Sequence, residues 1–168
     1  MKISYNSPVI LTFALISTVV LGLNYLFEGL IGNYFTLLPE FHFDSITSYL
    51  RLFTYVIGHG SWGHLVGNFA FILLLGPILE EKYGKRDLLI MMAVTALATA
   101  ILYLILVKIG IFERSGLLGA SGIVFMMILL SSMSNLKAGT IPMTFILVVI
   151  LYMGKEIYDY FQPDQTSK

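Results

Sequence analysis

The chain has 168 residues, ten basic and ten acidic, for a formal net charge of zero, and is 57% hydrophobic against 12% charged. A mean hydropathy of +0.85 excludes an ordinary soluble domain, and the neutral balance gives nucleic acid nothing to hold. With no cysteine there is neither a disulfide framework nor a thiolate nucleophile, and the remaining class is an integral membrane protein.

Uncharged runs at 3–27, 88–107 and 115–136 each reach the roughly 20 residues that a helix needs to cross about 30 Å of hydrocarbon. Two further runs are shorter: 65–79, which lengthens if extended back to Gly58, and 138–154, near the lower limit. Counting both predicts an all-α polytopic membrane protein with five spans, at 6–27, 60–79, 88–107, 118–135 and 139–156, in one domain. The loops are too short to bury a core of their own. The first run is too long for a signal peptide and has no small-x-small cleavage site, so it is expected to stay as an anchor.

After the first span, residues 28–54 mix six aromatics with Glu28, Glu40, Asp44 and Arg51. That blend suits the membrane interface and predicts short helices and turns on one surface of the bilayer, in an interfacial loop over 28–58. Between spans two and three, "EEKYGKRD" (80–87) reads as a tight charged turn around a glycine. Its three basic residues predict the cytoplasmic side, which puts the amino terminus in the cytoplasm, the aromatic loop outside and the Lys137 turn inside, in a plasma-membrane protein. The ten basic residues then divide evenly: Lys2, Lys82, Lys85, Arg86 and Lys137 inside, Arg51, Lys108, Arg114, Lys155 and Lys168 outside. The closing "FQPDQTSK" reads as a loop.

Few residues in such a chain can do chemistry. Ser121 lies in Gly119-Ala120-Ser121-Gly122 at the mouth of an apolar helix. Gly119 permits a sharp entry, Gly122 lets another backbone come close, and the first turn leaves N–H groups free to hold an oxyanion. A small-residue packing face has the same signature. The second span reads "FTYVIGHGSWGHLVGN" (53–68). On a helix His64 and Asn68 lie about 40° apart, on one face. His59 is about 140° round from His64, so it belongs to a loop or another face, which argues against a two-histidine metal site. Polar side chains inside a span mark a bundle interior or cavity, as a functional site or as an interhelical hydrogen-bond pair. Glycines 60, 63 and 67 thin one side of this span, where the helix starting at Ser121 is expected to pack.

These residues resemble the rhomboid family of intramembrane serine proteases: His59, His64 and Asn68 at their spacing, then Gly119-Ala120-Ser121-Gly122 two spans later. The resemblance covers nearly the whole chain. It implies a rhomboid-like helical bundle with five of the usual six spans, no cofactor and no metal, and transmembrane proteins as substrates. It also implies Ser121 as nucleophile, His64 and Asn68 as side-chain oxyanion donors beside the Ala120 and Ser121 backbone, and Phe125 as the aromatic one turn below the serine. Arg51 matches the arginine of the family's loop signature, with Leu50 in place of its tryptophan neighbour, and Met126 stands where the family favours a small residue.

The family's base is a histidine on a sixth span, whereas the histidines here are 42, 59 and 64. The sequence is therefore expected to end early, and the 168-residue chain to be nearly inert, since loss of the base in a serine protease costs on the order of 10⁶ in rate. Lys137 is about 24 Å along the helix from Ser121, too far to replace it, and Lys155 and Asp159 read as solvated interface residues. The alternatives are a non-catalytic rhomboid-like protein that binds transmembrane helices and a purely structural bundle.

Overall fold

The computed structural model describes residues 5–136 and 140–161. Among them run seven helices: α1 (Pro8–Asn24), α2 (Leu30–Tyr34), α3 (Ile46–Thr54), α4 (Trp62–Tyr83), α5 (Lys85–Lys108), α6 (Ser121–Leu136) and α7 (Met143–Phe161). Lys2, Lys137, Lys168 and all but the first residue of "FQPDQTSK" lie outside the described residues. Phe161, that first residue, still belongs to α7.

Each long helix buries one stripe. On α5 it runs Leu88, Met92, Ala96, Ala100, Tyr103 and Val107, the three-to-four spacing of one helical face. On α4 it is Leu65, Asn68, Phe69, Ile72, Gly76, Leu79 and Glu80. The opposite faces are as apolar as the buried ones, with Leu15, Ile16 and Val19 on α1, Leu73, Leu74 and Ile78 on α4, and Leu89, Ile90 and Val94 on α5 all exposed. In water such a surface would aggregate; in a bilayer it is the lipid contact. Helices α4 and α5 are long and apolar enough to cross a membrane, while Pro8–Asn24, Ser121–Ser132 and Met143–Lys155 are shorter apolar helices.

Helix α4 packs against α1, α5 and α6, and α7 lies on α6. At the α1–α4 crossing a Cβ on Gly76 would come within 2.6 Å of Ile10 Cδ1, so the glycine is the hole that receives a fully buried isoleucine. The link from α4 to α5 is tighter than a charged turn. Helix α4 continues to Tyr83, α5 begins at Lys85, and only Gly84, at φ 81° and ψ 160°, separates them. Only glycine adopts that backbone without cost. Glu80 is buried within α4 and is not part of a solvated turn. Its two carboxylate oxygens accept from Val9 N and Ile10 N, each at 3.2 Å, at the start of α1.

The aromatic loop holds two short helices, α2 and α3, and is fastened to the bundle by its backbone. Leu37 and Leu117 exchange N–H···O bonds of 2.8 and 2.9 Å. A Cβ on Gly58 would meet Phe35 O at 2.1 Å, and one on Gly116 would meet Thr36 Cγ2 at 2.4 Å. The Arg51 guanidinium donates to Asn33 O through both Nε, at 3.0 Å, and Nη2.

Candidate active site

Helices α4 and α6 begin at the same end of the bundle. Ser61 caps α4, its Oγ accepting from His64 N at 3.2 Å, which sets the first turn so that His64 and Asn68 follow on one face. The turn into α6 is made by Gly119, at φ 112°, where its N–H donates to Tyr55 O at 2.9 Å. The Tyr55 hydroxyl in turn donates to Ala96 O at 3.0 Å, and burial pushes that phenol up to about 12 against the opposing pull of a hydrogen bond with Thr99.

Two side chains converge on this turn. A Cβ on Gly119 would lie 2.7 Å from both Cε1 and Nε2 of His64 and 3.6 Å from Asn68 Nδ2. The imidazole and the carboxamide therefore press against the backbone two residues before Ser121, and the left-handed φ independently demands glycine there. Ser121 and His64 are half-buried, and Gly119, Ala120 and Asn68 are buried. The first turn of a helix leaves N–H groups without intrahelical partners, and among the described residues those of Ala120 and Ser121 make no other backbone bond. A Cβ on Gly122 would meet Thr99 Oγ1 at 3.0 Å, so this glycine seats α6 on α5.

His59 lies in the loop before α4, buried, with its ring edge-on to His64 at 5.1 Å between centroids. Its Nδ1 donates to Ile57 O at 3.0 Å and its Nε2 accepts from Asn68 Nδ2 at 3.2 Å. That pattern fits the neutral ring alone, since a carbonyl needs a donor and an amide N–H an acceptor. Burial is the main cause that holds its pKa down to about 4, the Ile57 bond opposing and the nearby His64 adding to it. Both ring nitrogens are committed, and His59 acts on the site through Asn68.

Other expectations fare differently. Arg51 holds the interfacial loop through Asn33 and is not brought to Ser121. Phe125 is half-buried and packs against the core one turn beyond the serine. The glycine stripe 60–63–67 does not receive α6: Gly60 faces Leu118 at 3.9 Å, Gly63 its own Ser61, and Gly67 the Lys155 side chain of α7. The close approach of α6 is made at Gly119 instead. Lys155 is half-buried with its Cε and Nζ at 3.2 and 3.3 Å from the position of a Gly67 Cβ, so it lies along α4 and does not project from the interface; the side chain of Asp159 lies outside the described ones. A cleft of about 200 Å³ lined by Leu75, Ser131, Ser132 and Phe145 opens further along α6, well away from Ser121.

Reading the sequence missed Tyr152. It is 3% exposed, and its hydroxyl lies 3.3 Å from Asn68 Oδ1 and 3.1 Å from Ser121 O. One tyrosine among ten on an apolar helix carries no local signal; only the packing of α7 reveals it.

A model of the rhomboid domain matches residues 47–163, well over half of the chain, covering α4 to α7 in full and all but the first residue of α3. The chain belongs to the rhomboid family. Rhomboids are generally intramembrane serine proteases, which agrees with an all-helical bundle whose outer faces are apolar, and this rhomboid is an integral membrane protein. No curated protein matches the chain.

Proposed function

We propose that this rhomboid is a serine endopeptidase that cleaves transmembrane protein segments, with Ser121 as nucleophile. The observation that carries the reading is the convergence of the His64 ring and the Asn68 amide on Gly119, two residues from Ser121. A tetrahedral intermediate puts negative charge on the former carbonyl oxygen, and preorganised donors in a dry setting stabilise it. The donors are the Ala120 and Ser121 N–H groups, the His64 ring N–H and the Asn68 N–H that His59 does not use.

In this reading Ser121 Oγ forms a bond to the scissile carbonyl carbon while a base takes its proton. Collapse of the intermediate breaks the C–N bond, the proton passes to the leaving amine, and water then hydrolyses the acyl-enzyme. No residue among those described is assigned as the base; His59 is excluded because both its nitrogens are bonded. The site lies within two turns of the starts of α4 and α6, so the substrate helix is opened near one membrane surface. Lys82, Lys85 and Arg86 cluster about Gly84 at the other end of α4, and the reading puts that end, with the amino terminus, in the cytoplasm of a plasma-membrane protein.

The test is labelling of the protein from its native membrane with a fluorophosphonate, with mass spectrometry of the modified peptide. Adduct on Ser121 is expected, with loss of both adduct and reporter cleavage in Ser121→Ala, and His64→Ala or Asn68→Ala should lower turnover about 10²- to 10³-fold. Reporter cleavage that survives Ser121→Ala sinks the proposal. A protein that is never labelled and cleaves nothing, yet retains transmembrane helices, is a binding protein.

A further inference from the structure

The carboxamide of Asn68 has an acceptor end and a donor end, and which one faces Gly119 decides whether negative charge there is attracted or repelled. His59 fixes part of the answer. Its Nδ1–H is spent on Ile57 O, so Nε2 offers a lone pair that only the NH2 end of Asn68 satisfies, at 3.2 Å. The acceptor end then needs a donor of its own, inside a bundle where an unpaired buried carbonyl is costly. Tyr152 supplies it: the hydroxyl stands 3.3 Å from Asn68 Oδ1 and 3.1 Å from Ser121 O, sharing its one proton between two oxygens.

We infer that Tyr152 is a positioning residue for the reaction, holding the Asn68 amide with its second N–H toward Gly119 and tying the first carbonyl of the Ser121 helix to it. The inference rests on the proposed role of Asn68 as an oxyanion donor. Three features make the placement stable. The ring packs edge-on to Phe71 of α4 at 5.3 Å and 74°, the side chain is almost wholly buried, and Lys155, one turn later on the same face of α7, lies along Gly67 of α4. Tyr152 is thus where α7 reaches both helices that bear the site.

Tyr152→Phe keeps the ring and removes only the hydroxyl. With the protein as it exists in its native membrane, reconstituted into proteoliposomes containing a transmembrane reporter, kcat should fall about tenfold, the scale of a lost hydrogen bond in a preorganised site, while KM and Tm hold. In an Asn68→Ala background the same substitution should change kcat less than twofold, because two residues that act as one unit are not additive. An unchanged kcat in the single variant, or the same tenfold loss repeated in the Asn68→Ala background, overturns the inference. A second arm reads geometry without turnover: in ¹⁵N-asparagine-labelled protein, Tyr152→Phe should shift the side-chain amide resonances of Asn68, identified by their loss in Asn68→Ala. Unmoved resonances overturn the inference as well. If reporter cleavage survives Ser121→Ala, the protease reading fails, while the resonance arm still decides whether Tyr152 holds Asn68.

Discussion

Replacing Glu80 with alanine should cost about 3 kcal/mol of stability, because one carboxylate satisfies the whole start of α1. Of the N–H groups a helix leaves without partners, Pro8 has none to offer, Leu11 N already donates to Ser7 O at 2.9 Å, and the Ser7 side chain makes no cap. The two that remain, Val9 N and Ile10 N, donate to the two oxygens of Glu80 at 3.2 Å each. Hydrogen bonds to a charged partner are worth about 1.5 to 3 kcal/mol apiece, and a negative group at a helix N-terminus adds a favourable dipole term of about 0.3 to 1 kcal/mol. Water entering at the helix end and the better helix propensity of alanine return part of this, which leaves the net near 3. The assay is thermal unfolding in detergent, where a loss of that size lowers Tm by about 6 to 12 °C for a chain of this length. Glu80→Gln keeps one acceptor and turns an N–H₂ toward the other donor, so it should lose about half as much. Glu81, next door and exposed, is the control, and its alanine variant should stay within about 0.5 kcal/mol. The reasoning is refuted if Glu80→Ala unfolds within a degree of Glu81→Ala, or if Glu80→Gln costs as much as Glu80→Ala.

Gly58→Ala should destabilise by about 3 kcal/mol or more, because its Cβ meets a backbone oxygen, Phe35 O at 2.1 Å, that no rotamer change can move; Gly22→Ala, which meets nothing within 4 Å, is the comparison in the same unfolding assay. His59 predicts a pH dependence with a definite sign. Its pKa falls from 6.5 to about 4 on folding, so the unfolded chain binds more protons between those values. The stability tied to neutral His59 is complete above 6.5 and is lost as pH falls toward 4. Carboxylates titrate in part of the same window, so the measurement is the difference between wild type and His59→Gln, which should shrink from pH 7 to pH 4.5; a difference that is flat or grows with acid rejects the assignment.

Part of the candidate site's geometry was legible because its signals are local. His64 and Asn68 stand one turn apart, so helical period alone puts them on one face, and a glycine before a helix-starting serine announces a left-handed turn, as Gly119 proves to be. The aromatic and acidic mixture of residues 28–58 predicts short helices, and α2 and α3 lie in that stretch. What escaped was set by partners distant in sequence. Glu80 sits among Glu81, Lys82, Lys85 and Arg86 and looked like one more surface charge, yet its bonds go to residues 70 and 71 positions earlier. Tyr152 bonds to a residue 84 positions away, and composition cannot separate it from a lipid-facing aromatic. Helix α6 packs on α4 as expected, but not at glycines 60, 63 and 67, because small residues permit a close approach without saying which side chain fills the space.

The two ends of the bundle are secured by different means, and that division bears on what variants will do. At the end holding Ser121, the fastening is backbone to backbone: Leu37 with Leu117, and Gly119 N with Tyr55 O, in a segment where Gly58 and Gly116 leave no room for a side chain. Such contacts fix the height and rotation of the α6 start directly, so a fault there displaces the serine relative to His64 and Asn68. At the opposite end a single carboxylate ties the start of α1 to α4, beside the seat of Ile10 on Gly76, and α1 bears none of the converging groups. Loss of Glu80 should therefore lower stability while the labelling rate of Ser121, measured well below the new Tm, stays within about twofold of wild type, since surroundings this far from the site couple weakly to it. Crowding at Gly116, where a Cβ would strike Thr36 at 2.4 Å, should slow labelling even at temperatures where the protein remains folded. Equal effects of Glu80→Ala and Gly116→Ala on the labelling rate of the folded protein would show that the bundle moves as one rigid piece and that its ends are not independent.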